Sequence, residues 1–122
     1  MGELVAVPVT GDEVTGPGEG MEIHIYSIDG KNAKMIESYE NPALKASMTR
    51  GIYMLKSILE KNVRYLIVSE MGGPGFRFVK NKIKMYDSGG LNEKDAINAF
   101  INNQLREITE PTHEPHHNME NK

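Results

Sequence analysis

The chain has 122 residues, a net charge of −3 and no cysteine, which suits one compact domain without disulfides or thiolate-ligated metal centres. It has no clustered basic face of the kind that binds nucleic acid. No apolar segment approaches the roughly 20 residues that span a bilayer. We therefore expect a cytoplasmic protein with neither nucleic acid nor a membrane as its partner.

The first predicted element is a strand over residues 3–9, whose apolar residues fall on both faces, as in a central strand. Residues 11–20, GDEVTGPGEG, then form a loop, because four glycines and a proline sustain neither a helical nor a strand period. Residues 21–28 and 33–40 are strand-like and flank an Asp-Gly pair, which predicts an antiparallel hairpin.

A long helix is predicted over residues 43–61, since four apolar residues recur at helical spacing: Met48, Ile52, Leu55 and Leu59. Gly51 lies inside this helix, where glycine costs about 1 kcal/mol relative to alanine, so we expect it to serve close packing or to leave room for a ligand. The remaining elements are a second central strand (63–69), a short helix (76–80), a strand (82–86) and a helix from the Asn92 cap to Asn103.

This order predicts a three-layer α/β fold with a mixed, mostly parallel five-stranded sheet. We expect one domain over residues 1–110, followed by a disordered, His-containing tail over residues 111–122. The tail holds His113, His116 and His117, but without a fold to fix their geometry any metal binding there would be adventitious.

The junction SEMGGPGFRF, residues 69–78, follows the second central strand. Ligands of open α/β sheets collect beyond the carboxyl ends of the parallel strands. If Gly73 is the N-cap and Pro74 the first helical residue, the amides of Gly75, Phe76 and Arg77 point outward toward an anion. A plain glycine-rich turn without a ligand is an equally good interpretation.

The loop 11–20 follows the other central strand and should lie beside the junction, forming a crevice walled mostly by backbone.

A set of catalytic residues is harder to identify in this sequence. The one His outside the tail is His24, in mid-strand, which we interpret as an edge-strand or half-buried residue rather than a base. We therefore expect a binding protein and not an enzyme.

Several short segments of the sequence, in their order and spacing, resemble the small proteins of the dinitrogenase iron–molybdenum cofactor biosynthesis family, of the NifX and NafY type. They are the opening VAVPV, the hairpin IYSIDGKNAKMIESYENPA, the Gly-Pro after the second central strand, IKMY, and AINAFINNQLREITEP. The similarity covers about residues 3–111. It implies a fold containing a ribonuclease H-like motif.

The resemblance implies a non-enzymatic carrier that binds an iron–molybdenum or related metal–sulfur cluster, or its precursor, between the first loop and the Gly-Pro turn. Family members typically carry a Ser-x-His-Phe-Gly-Arg-like motif in that loop. When this motif is aligned with residues 15–20, Pro17 takes the His position and Gly20 the Arg position. The expected contacts are Gly11, Asp12, Thr15, Gly18, Arg50, Gly72, Gly73, Gly75, Phe76 and Arg77.

The metal-ligating residues stay unassigned, since a cluster would have to be bound without cysteine. The alternative is a divergent member that holds no cofactor and acts as a protein-interaction or small-anion-binding module. A protein partner in cofactor assembly fits either hypothesis, and both a monomer and a homodimer stay open.

Overall fold

The computed structural model describes residues 2–114. Its elements, in chain order, are β1 (Glu3–Thr10), β2 (Glu13–Val14), β3 (Glu22–Asp29), β4 (Asn32–Glu40), a 3-10 turn (Pro42–Lys45), α1 (Arg50–Glu60), β5 (Tyr65–Val68), α2 (Gly73–Val79), β6 (Lys84–Asp87), α3 (Glu93–Ile101) and β7 (Arg106–Glu107). No helix within these residues is long and apolar enough to cross a membrane.

The strands form one mixed sheet in the order β4-β3-β1-β5-β6-β7, with β2 paired to β1. The mixed three-layer α/β fold is confirmed, with seven strands among residues 2–114 rather than five, because β2 and β7 are two-residue strands that carry no readable period. The parallel part is limited to β1, β5 and β6, and the predicted hairpin, β3 with β4, is antiparallel.

The core lies on both faces of the sheet, as the apolar pattern of β1 predicts. Ala6 packs in the cluster that contains Met54, Leu55 and Ile58 of α1, together with Val79 of α2. On the opposite face, the cluster formed by Val5, Val7, Val9, Val14, Ile67, Ala96 and Ile97 joins β1 and β5 to α3. The helices thus hold the two central strands, and their carboxyl ends, in fixed positions.

The prediction of one helix over residues 43–61 is wrong at its start. The chain makes a 3-10 turn over Pro42–Lys45 and begins α1 only at Arg50, after Thr49 with a left-handed φ of 51°. The side chain of Asn41 accepts the amide of Ala43 at 2.9 Å and caps the short turn separately. Met48, which the helical spacing groups with Ile52, Leu55 and Leu59, consequently lies before the helix and is 70% exposed.

The last described residues, 111–114, form what we call the C-terminal strap. The sequence assigns them to a disordered tail, but Thr112 and His113 hydrogen-bond to the junction. Residues 115–122, with His116 and His117, lie outside the described residues. The division into a domain over 1–110 and a tail over 111–122 stays a prediction.

Candidate binding cleft

The first loop and the junction face each other across a cleft of ≈ 210 Å³. Both follow the carboxyl ends of neighbouring parallel strands, β1 and β5, as the sequence predicts. The cleft is lined by Gly16, Pro17, Gly18, Glu19, Thr49, Gly51, Ile52, Glu70, Met71, Gly72, Pro74, Gly75 and His113. Backbone and small residues make up most of its walls.

Asn41 fixes the first loop as one wall of the cleft. Its fully buried amide nitrogen donates to the carbonyls of Pro17 and Gly20, each at 3.0 Å. The amide of Ser69 also donates to the carbonyl of Thr15 at 3.0 Å, which ties the loop to the junction. Asn41 was not predicted as a cleft residue, because a buried amide has no signal in a single sequence.

Close approach of the first loop to the start of α1 explains the glycine at position 18, whereas position 51 leaves room for a Cβ at ordinary van der Waals distance. A side chain at Gly18 would place its Cβ 3.1 Å from the amide nitrogen of Gly51, and one at Gly51 would meet Pro17 Cγ at 3.5 Å. The first loop therefore rests directly on the first turn of the helix. Gly51 also lines the cleft, and as a glycine it keeps that side of the cleft free of a side chain.

The junction begins its helix one residue earlier than predicted. Gly72 is the N-cap, and its carbonyl accepts the amide of Phe76 at 2.9 Å, so that amide belongs to the helix and does not point outward. The amide of Gly73 donates to the carbonyl of His113 at 3.0 Å. The strap thus takes up a donor that the sequence analysis expected to be a ligand contact.

The acidic and imidazole side chains that line the cleft are Glu19, Glu70 and His113. The pKa of Glu70 is raised, first by a hydrogen bond to Glu19 and then by burial and the neighbouring negative charge. The shift favours the neutral form of Glu70, because two neighbouring carboxylates repel each other. The imidazole Nδ1 of His113 lies 3.7 Å from Glu70 Oε1. His113 was missed as a cleft residue because nothing in the sequence shows where the strap docks.

The structure brings only part of the predicted contact set into the cleft. Gly18, Gly72 and Gly75 line it, whereas Thr15, Arg50, Gly73, Phe76 and Arg77 lie on the same loops and helices without lining it. Both arginines have other partners: Arg50 Nε donates to the carbonyl of Ala43 at 3.1 Å, and Arg77 Nη1 donates to Glu114 Oε2 at 3.2 Å.

Gly11 and Asp12 lie at the β1–β2 turn, near the start of α3. The carbonyl of Asp12 accepts the amide of Glu93 at 2.8 Å, and Asp12 lines a second cavity of ≈ 490 Å³ with Tyr26 and Glu93. The structure therefore does not bring Gly11 and Asp12 to the cleft. They follow β1 directly, but β2 turns the chain before the loop reaches the junction.

A buried polar cluster adjoins this second cavity. His24 is 9% exposed on the internal strand β3, so it is neither at an edge nor half-buried. Its Nδ1 lies 2.6 Å from Glu93 Oε2 and its Nε2 lies 2.9 Å from Glu22 Oε1, while the Tyr26 hydroxyl donates to Glu93 Oε2 at 2.5 Å. Burial lowers the pKa of His24, but the hydrogen bonds to Glu93 and Glu22 outweigh it and raise the pKa overall.

Within residues 2–114, no three His, Asp or Glu side chains are grouped so that they could hold a metal ion by themselves. The donors that the cleft does offer are the carboxylates of Glu19 and Glu70 and the imidazole of His113. Oxygen and imidazole nitrogen donors suit iron and other first-row metals.

These features define a small α/β protein with a backbone-walled cleft at the carboxyl ends of its central parallel strands. The chain belongs to the family described as dinitrogenase iron-molybdenum cofactor, whose sequence profile matches residues 1–103. The family resemblance seen in the sequence is thereby confirmed. Among curated protein sequences no significant match is found.

Solved structures share the fold over nearly the whole chain. A proposed NifB protein from Thermotoga, assigned to the DUF35 family, is 30% identical, with 92% of this chain and 97% of that chain covered and a TM-score of 0.69. A proposed dinitrogenase from Methanocaldococcus jannaschii is 22% identical (91% and 99% covered, TM-score 0.74). The apo form of the orange protein from Desulfovibrio gigas is 18% identical (92% and 98% covered, TM-score 0.76).

Proposed function

We propose that the protein binds and carries a metal–sulfur cluster of the iron–molybdenum type, or a precursor of one, in the cleft between the first loop and the junction. It acts in the cytoplasm as a carrier and not as an enzyme. The observation that carries this proposal is the cleft itself: two loops from neighbouring parallel strands enclose ≈ 210 Å³ and place carboxylate and imidazole donors on its walls. Membership of the cofactor family supplies the class of guest.

The charges in the cleft define what kind of guest it accepts. Arg77 is paired with Glu114, so positive charge beside the cleft is partly neutralised. The walls instead offer Glu19 and Glu70, whose contact raises the pKa of Glu70, and the imidazole of His113. Such a set favours a guest with exposed metal ions that accept oxygen or nitrogen donors. A simple anion without metal would meet carboxylates and gain little.

Anaerobic reconstitution with iron, sulfide and molybdate tests the proposal. The protein should acquire charge-transfer absorption in the visible range, together with bound iron in metal analysis. Protein that stays colourless and metal-free would contradict the proposal.

Two arginines beside the cleft test the role of positive charge. Because surface charge interactions are worth about 0.2–1 kcal/mol, Arg50→Ala and Arg77→Ala should weaken cluster binding by up to about fivefold. Arg106→Ala, which removes the same charge from β7, is the matched control and should load like the unmodified protein. Equal loss in all three variants would indicate a general charge effect and no role for the cleft.

A second candidate is a member of the family that holds no cluster and acts through a protein partner in cofactor assembly. It is favoured by an exposed apolar surface around a cavity of ≈ 620 Å³, where Met48 is 70% and Tyr53 48% exposed. Exposed apolar patches of this kind often mark interaction sites. Colourless protein after reconstitution, whose melting temperature also does not respond to phosphate, sulfate, molybdate or nucleotides, would favour this candidate.

A further inference from the structure

The C-terminal strap is tied to the junction by hydrogen bonds along its length. The hydroxyl of Thr112 accepts the amide of Met71 at 2.8 Å, the amide of Thr112 donates to the carbonyl of Met71 at 2.8 Å, and the carbonyl of His113 accepts the amide of Gly73. Gly72 and His113 also form a parallel β-bridge. These bonds fix the backbone of His113 at the mouth of the cleft.

The imidazole of His113 lies over Gly72, and the two sides of the ring have different surroundings. Its Nδ1 lies 3.2 Å from the hydroxyl of Thr112 and 3.7 Å from Glu70 Oε1. A Cβ at Gly72 would come within 3.1 Å of Nε2. Because position 72 is glycine, no side chain of that residue covers Nε2.

We propose that His113 is a metal-contacting residue of the cleft, with Nε2 as the ligating nitrogen and the strap as the element that presents it. This inference rests on the proposed function, because the ligand is an exposed iron or molybdenum ion of the bound cluster. Thr112 and Glu70 lie on the Nδ1 side of the ring, where the partners of metal-bound histidines commonly lie, so Nε2 is the nitrogen that faces away from them.

The proposal also gives Gly72 a definite role. Its φ of −73° and ψ of 166° are allowed for any residue, so glycine is not needed for the backbone conformation. A side chain at position 72 would instead disturb the position of the His113 imidazole. Gly72→Ala should therefore leave the fold intact and displace His113 from the mouth of the cleft.

The test is pulsed EPR of the full chain after anaerobic reconstitution with iron, sulfide and molybdate. Unmodified protein should show coupling of the paramagnetic cluster to an imidazole ¹⁴N nucleus. His113→Ala should abolish this coupling, and Gly72→Ala should abolish or strongly reduce it while circular dichroism stays native. The double variant His116→Ala/His117→Ala, which removes the same residue type from the tail, is the matched control and should retain the coupling.

Three outcomes would overturn the inference. If His113→Ala keeps both the metal content and the ¹⁴N coupling, the cleft binds a cluster without His113, and the proposed function stands alone. If the tail double variant loses the coupling and His113→Ala keeps it, the ligand lies in the tail. If unmodified protein takes up no cluster at all, the proposed function fails and the inference fails with it.

Discussion

The buried contact between His24 and Glu93 makes the stability of this protein pH-dependent in a defined direction. Carboxylates only accept hydrogen bonds, so a histidine bonded to Glu93 and Glu22 through both nitrogens is an imidazolium. Its folded-state pKa is raised above the ordinary value of 6.5, chiefly because the hydrogen bonds to Glu93 and Glu22 outweigh the effect of burial. The stabilisation is therefore complete below about pH 6.5 and is lost as the pH rises through the higher folded-state pKa.

The magnitude of this stabilisation follows from how exposed the partners of His24, Glu93 and Glu22, are. The Glu93 side chain is 10% exposed and the Glu22 side chain 56%, so we count only the bond to Glu93. A buried hydrogen bond to a charged group contributes about 1.5–3 kcal/mol. His24→Gln should therefore lower the free energy of unfolding by about 2 kcal/mol near pH 6, or the melting temperature by roughly 6–10 °C.

Urea denaturation of both proteins at about pH 6 and about pH 8.5 measures the effect. The difference between unmodified protein and His24→Gln should shrink at the higher pH, since the unmodified protein then loses its imidazolium. Tyr26→Phe is the control: the pKa of Tyr26 is raised well above 10 by burial and by Glu93, so its cost of about 1 kcal/mol should be the same at both pH values. A His24→Gln difference that does not change with pH would refute the reasoning.

Three further predictions concern the walls of the cleft. Asn41→Asp replaces the donating amide with a carboxylate that faces the carbonyls of Pro17 and Gly20, so the free energy of unfolding should fall by about 2–4 kcal/mol. Asn98→Asp, the same change at an exposed position, should cost little, and equal costs for the two variants would contradict the assigned contacts. Gly20→Ala brings a Cβ within 2.9 Å of Val9 N and should lower the free energy of unfolding by about 1–3 kcal/mol. Gly16→Ala meets the movable side chain of Glu70 and should lower it by less than about 1 kcal/mol; the reverse order in thermal melts would be evidence against this packing. Glu70→Gln should stabilise the protein near pH 7, because the raised folded-state pKa of Glu70 makes the protein lose stability as the pH rises above the unfolded-state pKa near 4.5. With the side chain 38% exposed, the gain should stay below about 1 kcal/mol, and a gain that persists below pH 4 would argue against the raised pKa.

The sequence predicts the parts of the fold that depend on local pattern. The doubly buried β1, the Asp29-Gly30 hairpin and the Asn92 cap all have short-range signals, and so does the glycine-rich junction. From these, the meeting of the two loops at one end of the sheet follows by topology. The start of α1 did not follow, because a helical period over residues 43–61 does not reveal that Asn41 caps a separate turn.

The residues that line the cleft were harder to predict than its location. Arg50 and Arg77 were favoured by charge, but each forms a hydrogen bond elsewhere in the fold. His113 and Asn41 act through contacts with residues far away in the chain, and such contacts leave no periodic or compositional trace. Sequence pattern therefore located the cleft, whereas its donors depend on tertiary contacts.

Thr49 gives the rim of the cleft before α1 a mechanical property that the first loop lacks. A β-branched residue at a φ of 51° stores on the order of 1–3 kcal/mol of backbone strain, and Thr49 lines the cleft just before α1. The first loop, in contrast, is held by the two hydrogen bonds that the Asn41 side chain donates to the carbonyls of Pro17 and Gly20. A guest too large for the resting cleft would displace the strained rim first, since moving Thr49 toward an extended conformation releases strain and moving the first loop breaks these bonds.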